Sequence, residues 1–184
     1  AVPAPAGLTG CAPAAPAAAA AAEDDADRVV KVTPMRRAIA ANMSASWATS
    51  PRLTFTTPFD ATEMIILRKK INKALEPKGI KVSYNHIIMK VVAMVLKDYP
   101  EINGSFKDNM LTYHKHVNIG LAVAQPTGGL VVPNVKDTDK KSLAEIAVEA
   151  DAMAKAGKAG KLGMDDMRGG TFTVTNIGIY GITN

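Results

Sequence analysis

Cysteine, aromatic residues and long apolar runs are all scarce in this chain of 184 residues. A single cysteine, Cys11, excludes an internal disulfide and favours a reducing compartment. Aromatic residues make up 5% of the chain, and its lysines and arginines are scattered, which argues against a surface for nucleic acid. Outside a run of alanines, nothing approaches the roughly 20 apolar residues of a membrane span. We therefore expect a soluble, cytoplasmic bacterial protein without nucleic acid or membrane partners.

What is abundant is alanine and proline at the start of the chain. Residues 1–28 consist almost wholly of these two types before a short acidic segment, and such a composition predicts a flexible linker. The linker carries a formal charge of −3 and residues 29–184 carry +8, which together give the total of +5. We predict one domain there, basic enough to suit an anionic partner such as coenzyme A. A generic basic domain that binds nucleic acid is the weakest alternative.

Four helices are predicted from capping residues followed by apolar residues every three or four positions. They begin after Thr33, at Asp60, after Ser83 and after Ser142. The third is apolar nearly all round from His86 to Leu96, which predicts a buried central helix. The predicted apolar stripes of the other three helices are Met35, Ile39, Met43 and Trp47; Met64, Leu67, Ile71 and Leu75; and Leu143, Ile146, Ala147, Ala150 and Met153.

Strands are predicted where β-branched and aromatic residues alternate with polar ones. Large residues occupy one face of the segment 117–124, and small residues occupy the other, so another element or a slender ligand arm can approach the small face closely. A turn at 126–129 then predicts a hairpin in which Pro133 marks an edge or bulge. The predicted strands are 53–59, 110–114, 116–125, 130–135 and the segment that begins at Gly169.

The segment Gly169–Gly181 is the strongest candidate for chemistry. Thr171, Thr173 and Thr175 alternate with apolar residues and therefore share one face of a strand. Three hydroxyls followed by Asn176 form a polar edge that can donate hydrogen bonds to an oxyanion. On spacing alone, a half-exposed strand with solvated threonines is the simpler interpretation.

Four parts of the sequence form a set: Val32–Ala40, Val117–Ala124 with Gly129–Pro133, Lys141–Ala147 and Gly169–Gly178. In that order they resemble the dihydrolipoamide acyltransferases, the core subunits of 2-oxo acid dehydrogenase complexes. The resemblance implies an α+β, chloramphenicol acetyltransferase-like fold with helices packed on a mixed or antiparallel sheet. It also implies homotrimers built into cubic or dodecahedral cores, which bind decarboxylase and dihydrolipoamide dehydrogenase subunits. The implied reaction passes an acyl group, acetyl by our preference, between coenzyme A and a lipoyl group carried on a domain outside this chain.

The same resemblance assigns the site. Thr175 stands where the family has a serine that donates to the oxyanion, and Asn118, Gly120, Gly129 and Asn176 are placed near the thiol channel. The family's general base is a histidine near the C-terminus, and its motif is absent from this sequence. We therefore expect residues 29–184 to be the N-terminal two-thirds of the catalytic domain, inactive alone, with the C-terminal part missing. A catalytically silent scaffold homologue is the alternative.

The three histidines present receive no catalytic role from the sequence. His86 lies within an apolar helix, where packing explains it. His114 and His116 are two residues apart on a predicted strand, but no cysteine or carboxylate cluster accompanies them. We expect no metal site.

Overall fold

The computed structural model describes residue 27 and residues 29–126, 128–178 and 181. The chain divides into two compact units, residues 1–49 and 50–184. Apart from Asp27, the predicted linker lies outside the described residues, so its flexibility stays a prediction. No helix in the described ranges has the length and apolar character needed to cross a membrane.

Helix α1 (Pro34–Thr49) begins where the sequence predicts. The Thr33 Oγ1 accepts a hydrogen bond from the Arg36 backbone N–H at 3.3 Å, the arrangement of an N-cap. Its apolar stripe is nevertheless exposed at Met35, Ile39, Met43 and Trp47. The periodicity therefore predicts the helix correctly without identifying what its stripe packs against.

The predicted strand at residues 53–59 is wrong. The segment 50–61 contains neither helix nor strand, and Leu53, Phe55 and Phe59 are 71 to 83% exposed. A strand needs a hydrogen-bonded neighbour, and none of the described strands pairs with this segment. Alternating apolar residues were therefore insufficient to make it a strand.

Helix α2 (Thr62–Leu75) continues into a 3₁₀ turn, Glu76–Lys78, which ends at Gly79 with φ 65°. The prediction that Asp60 is the N-cap is wrong by one residue, because Ala61 holds that position and Asp60 instead accepts from the Thr62 N–H at 2.9 Å. Leu67 is exposed, contrary to the predicted stripe. The other three members, Met64, Ile71 and Leu75, pack against a small core of Val82, Ile87 and Ala147.

Helix α3 (Tyr84–Asp98) starts after Ser83 as predicted, with His86 completing the capping box. The expectation that it is buried all round is wrong, because Val91, Met94 and Val95 are exposed. Within the described chain the helix packs through one side only, against α2, the last strand and the next helix.

Helix α4 (Leu143–Lys158) confirms the second predicted capping box, between Ser142 and Glu145. Its predicted stripe faces the core, since Ile146, Ala147 and Ala150 are buried. The helix continues beyond Met153, the last residue of the predicted stripe, and includes Gly157, which packs against the Leu162, Val123 and Val131 side chains.

An additional strand lies at residues 104–107, where no strand is predicted from the sequence. Strands β1 (Gly104–Lys107) and β2 (Met110–Tyr113) form an antiparallel hairpin. Its turn is confined to Asp108 and Asn109, both with positive φ, which suits a two-residue hairpin turn. The polar composition of residues 103–109 therefore did not predict the strand that lies there.

The central hairpin is confirmed. Strands β3 (Ile119–Leu121) and β4 (Val123–Ala124) return through β5 (Leu130–Val131) and β6 (Asn134–Val135) in one continuous register. Pro133 lies at the interruption, where it has no N–H to donate, as the sequence predicts.

Strand β7 (Phe172–Val174) pairs in parallel with β3, so the central sheet is mixed, in the order β6–β3–β7. The large face of the 117–124 segment forms the main core with α3 and α4. Its buried members are Val117, Ile119, Leu121 and Val123.

Candidate active site

Strand β7 presents two chemically different faces. Val174 is buried and Phe172 packs against the core, whereas Thr171 and Thr173 lie beside Asn118 and Gly120 on the opposite face. The shared threonine face is therefore confirmed for two of its three members. Thr175 lies one residue beyond the end of the strand.

The start of β7 is bound tightly to β3 through Asn118. The Thr171 hydroxyl accepts from the Asn118 N–H at 3.1 Å and donates to the Asn118 carbonyl at 3.3 Å. The Asn118 side chain donates to the Gly169 carbonyl at 2.7 Å and accepts from the Asp137 N–H at 2.8 Å. Both ends of the Asn118 amide are thus occupied within the protein, and its predicted contact with substrate stays a prediction.

Gly120 confirms the close approach predicted for the small face of β3. A Cβ at this position would lie 2.7 Å from Val132 Cγ1 and 2.9 Å from Asn134 Oδ1. Gly170 is still tighter, since its Cβ would lie 2.1 Å from the same Asn134 oxygen. What approaches these two glycines is therefore the buried Asn134 amide, whereas the ligand arm that the sequence also allowed stays a prediction.

Beyond β7 the chain is held differently. Thr175 is exposed, and its hydroxyl makes no hydrogen bond to any residue that the structure describes. Asn176 donates through Nδ2 to Asn85 Oδ1 at 3.0 Å and accepts through Oδ1 from the Gly178 N–H at 3.0 Å. The free hydroxyl of Thr175 thus adjoins a residue with a fixed side chain.

Asn176 also lines a cleft of about 360 Å³ between the start of α3, the second half of α4 and the segment 121–124. The small residues Ala122 and Ala124 form one wall, and Asn85, His86 and Asp151 contribute polar groups. Of the five site residues predicted from the sequence, Asn176 is the one that lines this cleft. Gly129, with φ 108°, lies in the turn between β4 and β5, where its carbonyl accepts from Gln125.

His86 and Asp151 form a pair that the sequence did not predict, because 65 residues of chain separate them and no local pattern links them. His86 is 3% exposed, and its Nδ1 accepts from the Ser83 N–H at 3.2 Å. The ring proton therefore resides on Nε2, which lies 3.4 Å from Asp151 Oδ1. Burial lowers the pKa of His86, and the Asp151 carboxylate only partly opposes that shift. The ring is neutral at pH 7 and has no free lone pair for a general base.

The other two histidines lie away from the cleft. His116 contacts Asp137 through Nδ1 at 2.7 Å, and this bond lowers the pKa of the Asp137 carboxyl. Residues 114–118 are not in a strand, so the prediction that His114 and His116 lie on one is wrong. Within the described ranges, no group of three possible metal-ligating side chains comes together.

Comparison with known proteins agrees with the resemblance read from the motifs. Residues 24–184 match the family model described as 2-oxoacid dehydrogenases acyltransferase (catalytic domain). The acetyltransferase component of the acetoin cleaving system of Bacillus subtilis is 34% identical over 154 residues, which is 83% of this chain and 38% of that protein. Other curated relatives are named succinyltransferases or branched-chain lipoamide acyltransferases. The chain spans 27 to 38% of the length of the curated relatives it matches.

Solved structures give the fold. A dihydrolipoamide acetyltransferase of Azotobacter vinelandii, studied for the catalytic roles of a serine, a histidine and an asparagine, has a TM-score of 0.80 at 33% identity, covering 86% of this chain and 65% of that one. A cubic core of a pyruvate dehydrogenase multienzyme complex also gives 0.80, at 32% identity, with the same coverage of 86% and 65%. The α+β, chloramphenicol acetyltransferase-like fold is thereby confirmed. The chain belongs to the acyltransferase family of the 2-oxoacid dehydrogenases and matches its catalytic domain.

Proposed function

We propose that the protein transfers an acyl group between a dihydrolipoyl arm and coenzyme A, with Thr175 as the donor to the oxyanion. The observation that carries this proposal is that Thr175, whose exposed hydroxyl has no described hydrogen bond, directly precedes Asn176, which lines the cleft. The relatives named as acyltransferases support the reaction class. Because the chain covers only part of each relative, the activity is proposed for the full-length protein.

The chemistry requires little of this segment beyond a well-placed donor. When a thiolate attacks the thioester carbonyl, the carbon–sulfur bond forms and the carbonyl oxygen becomes an oxyanion. The Thr175 Oγ–H can donate a hydrogen bond to that oxygen until the intermediate collapses and the second sulfur leaves, taking the proton that the first thiol lost. Threonine adds a methyl group to the serine of the family pattern, which restricts its χ1 angle while keeping the hydroxyl.

Several finer points belong to the same proposal. We propose acetyl as the acyl group, although relatives with succinyl and branched-chain names match equally well. Asn118, Gly120 and Gly129 are proposed near the thiol channel. We also propose homotrimers assembled into a cubic or dodecahedral core, with decarboxylase and dihydrolipoamide dehydrogenase subunits as partners and the lipoyl group on another domain. The cubic core among the structural relatives supports multimeric assembly. We propose the bacterial cytoplasm as its location.

The test is acyl transfer by the full-length protein from acetyl-, succinyl- and branched-chain acyl-coenzyme A to dihydrolipoamide. Thr175→Val removes the hydroxyl while keeping the side-chain shape, and we expect a loss of about 10² to 10³ in kcat. Thr175→Ser keeps the hydroxyl and should stay within about tenfold of the unmodified enzyme. If the valine variant keeps full kcat with every active donor, Thr175 has no role in the reaction.

A scaffold without catalytic activity is the second candidate. It is favoured by one observation: none of the histidines that the structure describes has a free ring nitrogen in the cleft that Asn176 lines, because His86, which lines it, uses its only lone pair on Ser83. A full-length protein that assembles into trimers or larger shells, yet transfers none of the acyl groups tested, would establish this function instead. Salt-dependent binding of nucleic acid without acyl transfer would replace both candidates.

A further inference from the structure

The segment 175–178 leaves the sheet and depends on one side chain for its anchorage. The last backbone bond of β7 runs from the Ala122 N–H to the Val174 carbonyl at 3.3 Å. Among the described hydrogen bonds, one joins residues 175–178 to another element, and it is the bond from Asn176 to Asn85. The bond from Gly178 to Asn176 only closes the segment on itself. The orientation of this segment is therefore set from α3.

The start of α3 is a rigid support for that anchor. Asn85 is the second residue of the helix, between a capping serine and a buried histidine. The capping box of Ser83 and His86 fixes the first turn, and His86 is tied to α4 through Asp151. The next residue, Ile87, is buried as well. Asn85 Oδ1 consequently lies at a defined position, and the Asn176 amide is held against it.

We propose that Asn85 is a positioning residue for acyl transfer: its Oδ1 holds Asn176 Nδ2, and through Asn176 it fixes the direction of the Thr175 hydroxyl. This inference rests on the proposed function of Thr175. Asn85 and Asn176 are 91 residues apart, so only the fold brings them together. A hydroxyl on a freely turning segment would pre-organise the oxyanion site less well, which lowers kcat rather than substrate affinity.

Two substitutions at Asn85 distinguish the loss of its hydrogen bond from an effect on the stability of the helix. Asn85→Leu has a similar size and a better helix propensity but no acceptor, whereas Asn85→Asp keeps the acceptor and adds a favourable negative charge near the helix N-terminus. In the full-length protein we expect Asn85→Leu to lower kcat about tenfold, with KM for coenzyme A within about twofold. Asn85→Asp should remain within about twofold of the unmodified kcat. Asp98→Ala, at the exposed C-terminal end of the same helix, is the control and should change neither constant.

The decisive measurement is a double-mutant cycle with Thr175→Ala. If Asn85 acts through the Thr175 hydroxyl, Asn85→Leu has no further effect on kcat once that hydroxyl is gone. Additive losses, or an Asn85→Leu kcat equal to that of the unmodified enzyme, would overturn the positioning role while leaving the function of Thr175 intact. An equal loss in Asn85→Leu and Asn85→Asp would also overturn it, because the acceptor would then be irrelevant. If Thr175→Ala alone is without effect, the proposed function fails, and the positioning role fails with it.

Discussion

The two ends of β7, a strand of three residues, are held in opposite ways. At its start, Gly170 is packed against Asn134, and Thr171 is bonded to Asn118 through backbone and side-chain groups. At its exit, Thr175 is exposed without a described partner, and Asn176 supplies the anchor. The same threonine-rich segment therefore serves structure at one end and is available for chemistry at the other.

This difference explains how similar residues can have different roles. A hydroxyl that already donates its proton within the protein, as Thr171 does, has no proton left to donate to an oxyanion. A hydroxyl just past the last ladder bond, as in Thr175, remains available. Substitutions at the start of β7 should therefore reduce stability, and substitutions at its exit should reduce turnover.

The largest loss of stability is expected from Gly170→Ala. The new Cβ would overlap the whole Asn134 amide, with its oxygen at 2.1 Å and its carbon at 2.8 Å, and Asn134 is itself buried. Overpacking of this kind costs up to about 3 kcal/mol, measured as the free energy of unfolding in urea. Gly163→Ala is the matched control, because its Cβ would meet only Asp166 at 3.4 Å, an ordinary contact. Equal effects of the two substitutions would show that the start of β7 is not tightly packed.

Asn118→Ala should follow, at about 2 kcal/mol. The change removes the acceptor of the Asp137 N–H and the donor to the Gly169 carbonyl, which leaves both backbone groups without these partners. Urea unfolding again measures the cost. If the free energy of unfolding is unchanged but KM for coenzyme A rises, Asn118 contacts substrate rather than supporting β7.

A matched pair of threonine substitutions tests the comparison directly. Thr171→Val removes the reciprocal bonds with Asn118 and should cost about 1 kcal/mol of unfolding free energy. Thr175→Val breaks no described hydrogen bond, so its unfolding free energy should change by less than about 0.5 kcal/mol despite the expected loss of kcat. Thermal melting and steady-state kinetics on the same samples separate the two effects. If Thr175→Val lowered the free energy of unfolding and Thr171→Val lowered kcat, the roles assigned to the two ends of β7 would be exchanged.

The smallest effect concerns pH and His86. Burial lowers the pKa of His86 in the folded protein. As pH falls below about 6.5, the imidazole is therefore protonated in the unfolded chain at a higher pH than in the folded protein. The free energy of unfolding should therefore decrease as pH is lowered from 7.5 to 5.5. The contribution of His86 to this decrease ends once the pH is below its lowered pKa. His86→Gln keeps a residue suited to the capping box and removes the titration, so its melting temperature should vary less across that window. The carboxyls of Asp60, Asp137 and Glu145, whose pKa values are lowered by hydrogen bonds, act below this range.

Much of the local structure was predictable from the sequence because its causes are local. Capping residues placed the starts of α1, α3 and α4, and the alternation of large and small residues gave the two faces of β3. The predictions that failed depend on which segments pair or pack with one another. The segment 53–59 has the composition of a strand but no neighbour in the described chain, and α3 is apolar on a face that nothing in the described residues covers.

The sequence by itself determined the family, the caps of α1, α3 and α4 and the central hairpin, since each depends on residues close together in the chain. Only the tertiary structure decided that the Thr171 hydroxyl is occupied within the protein, because its bonding depends on Asn118, 53 residues away. It likewise joined Asn85 to Asn176 and His86 to Asp151. Hydrogen bonds between such distant residues leave no periodic or local pattern in a sequence, and packing alone brings the partners within bonding distance.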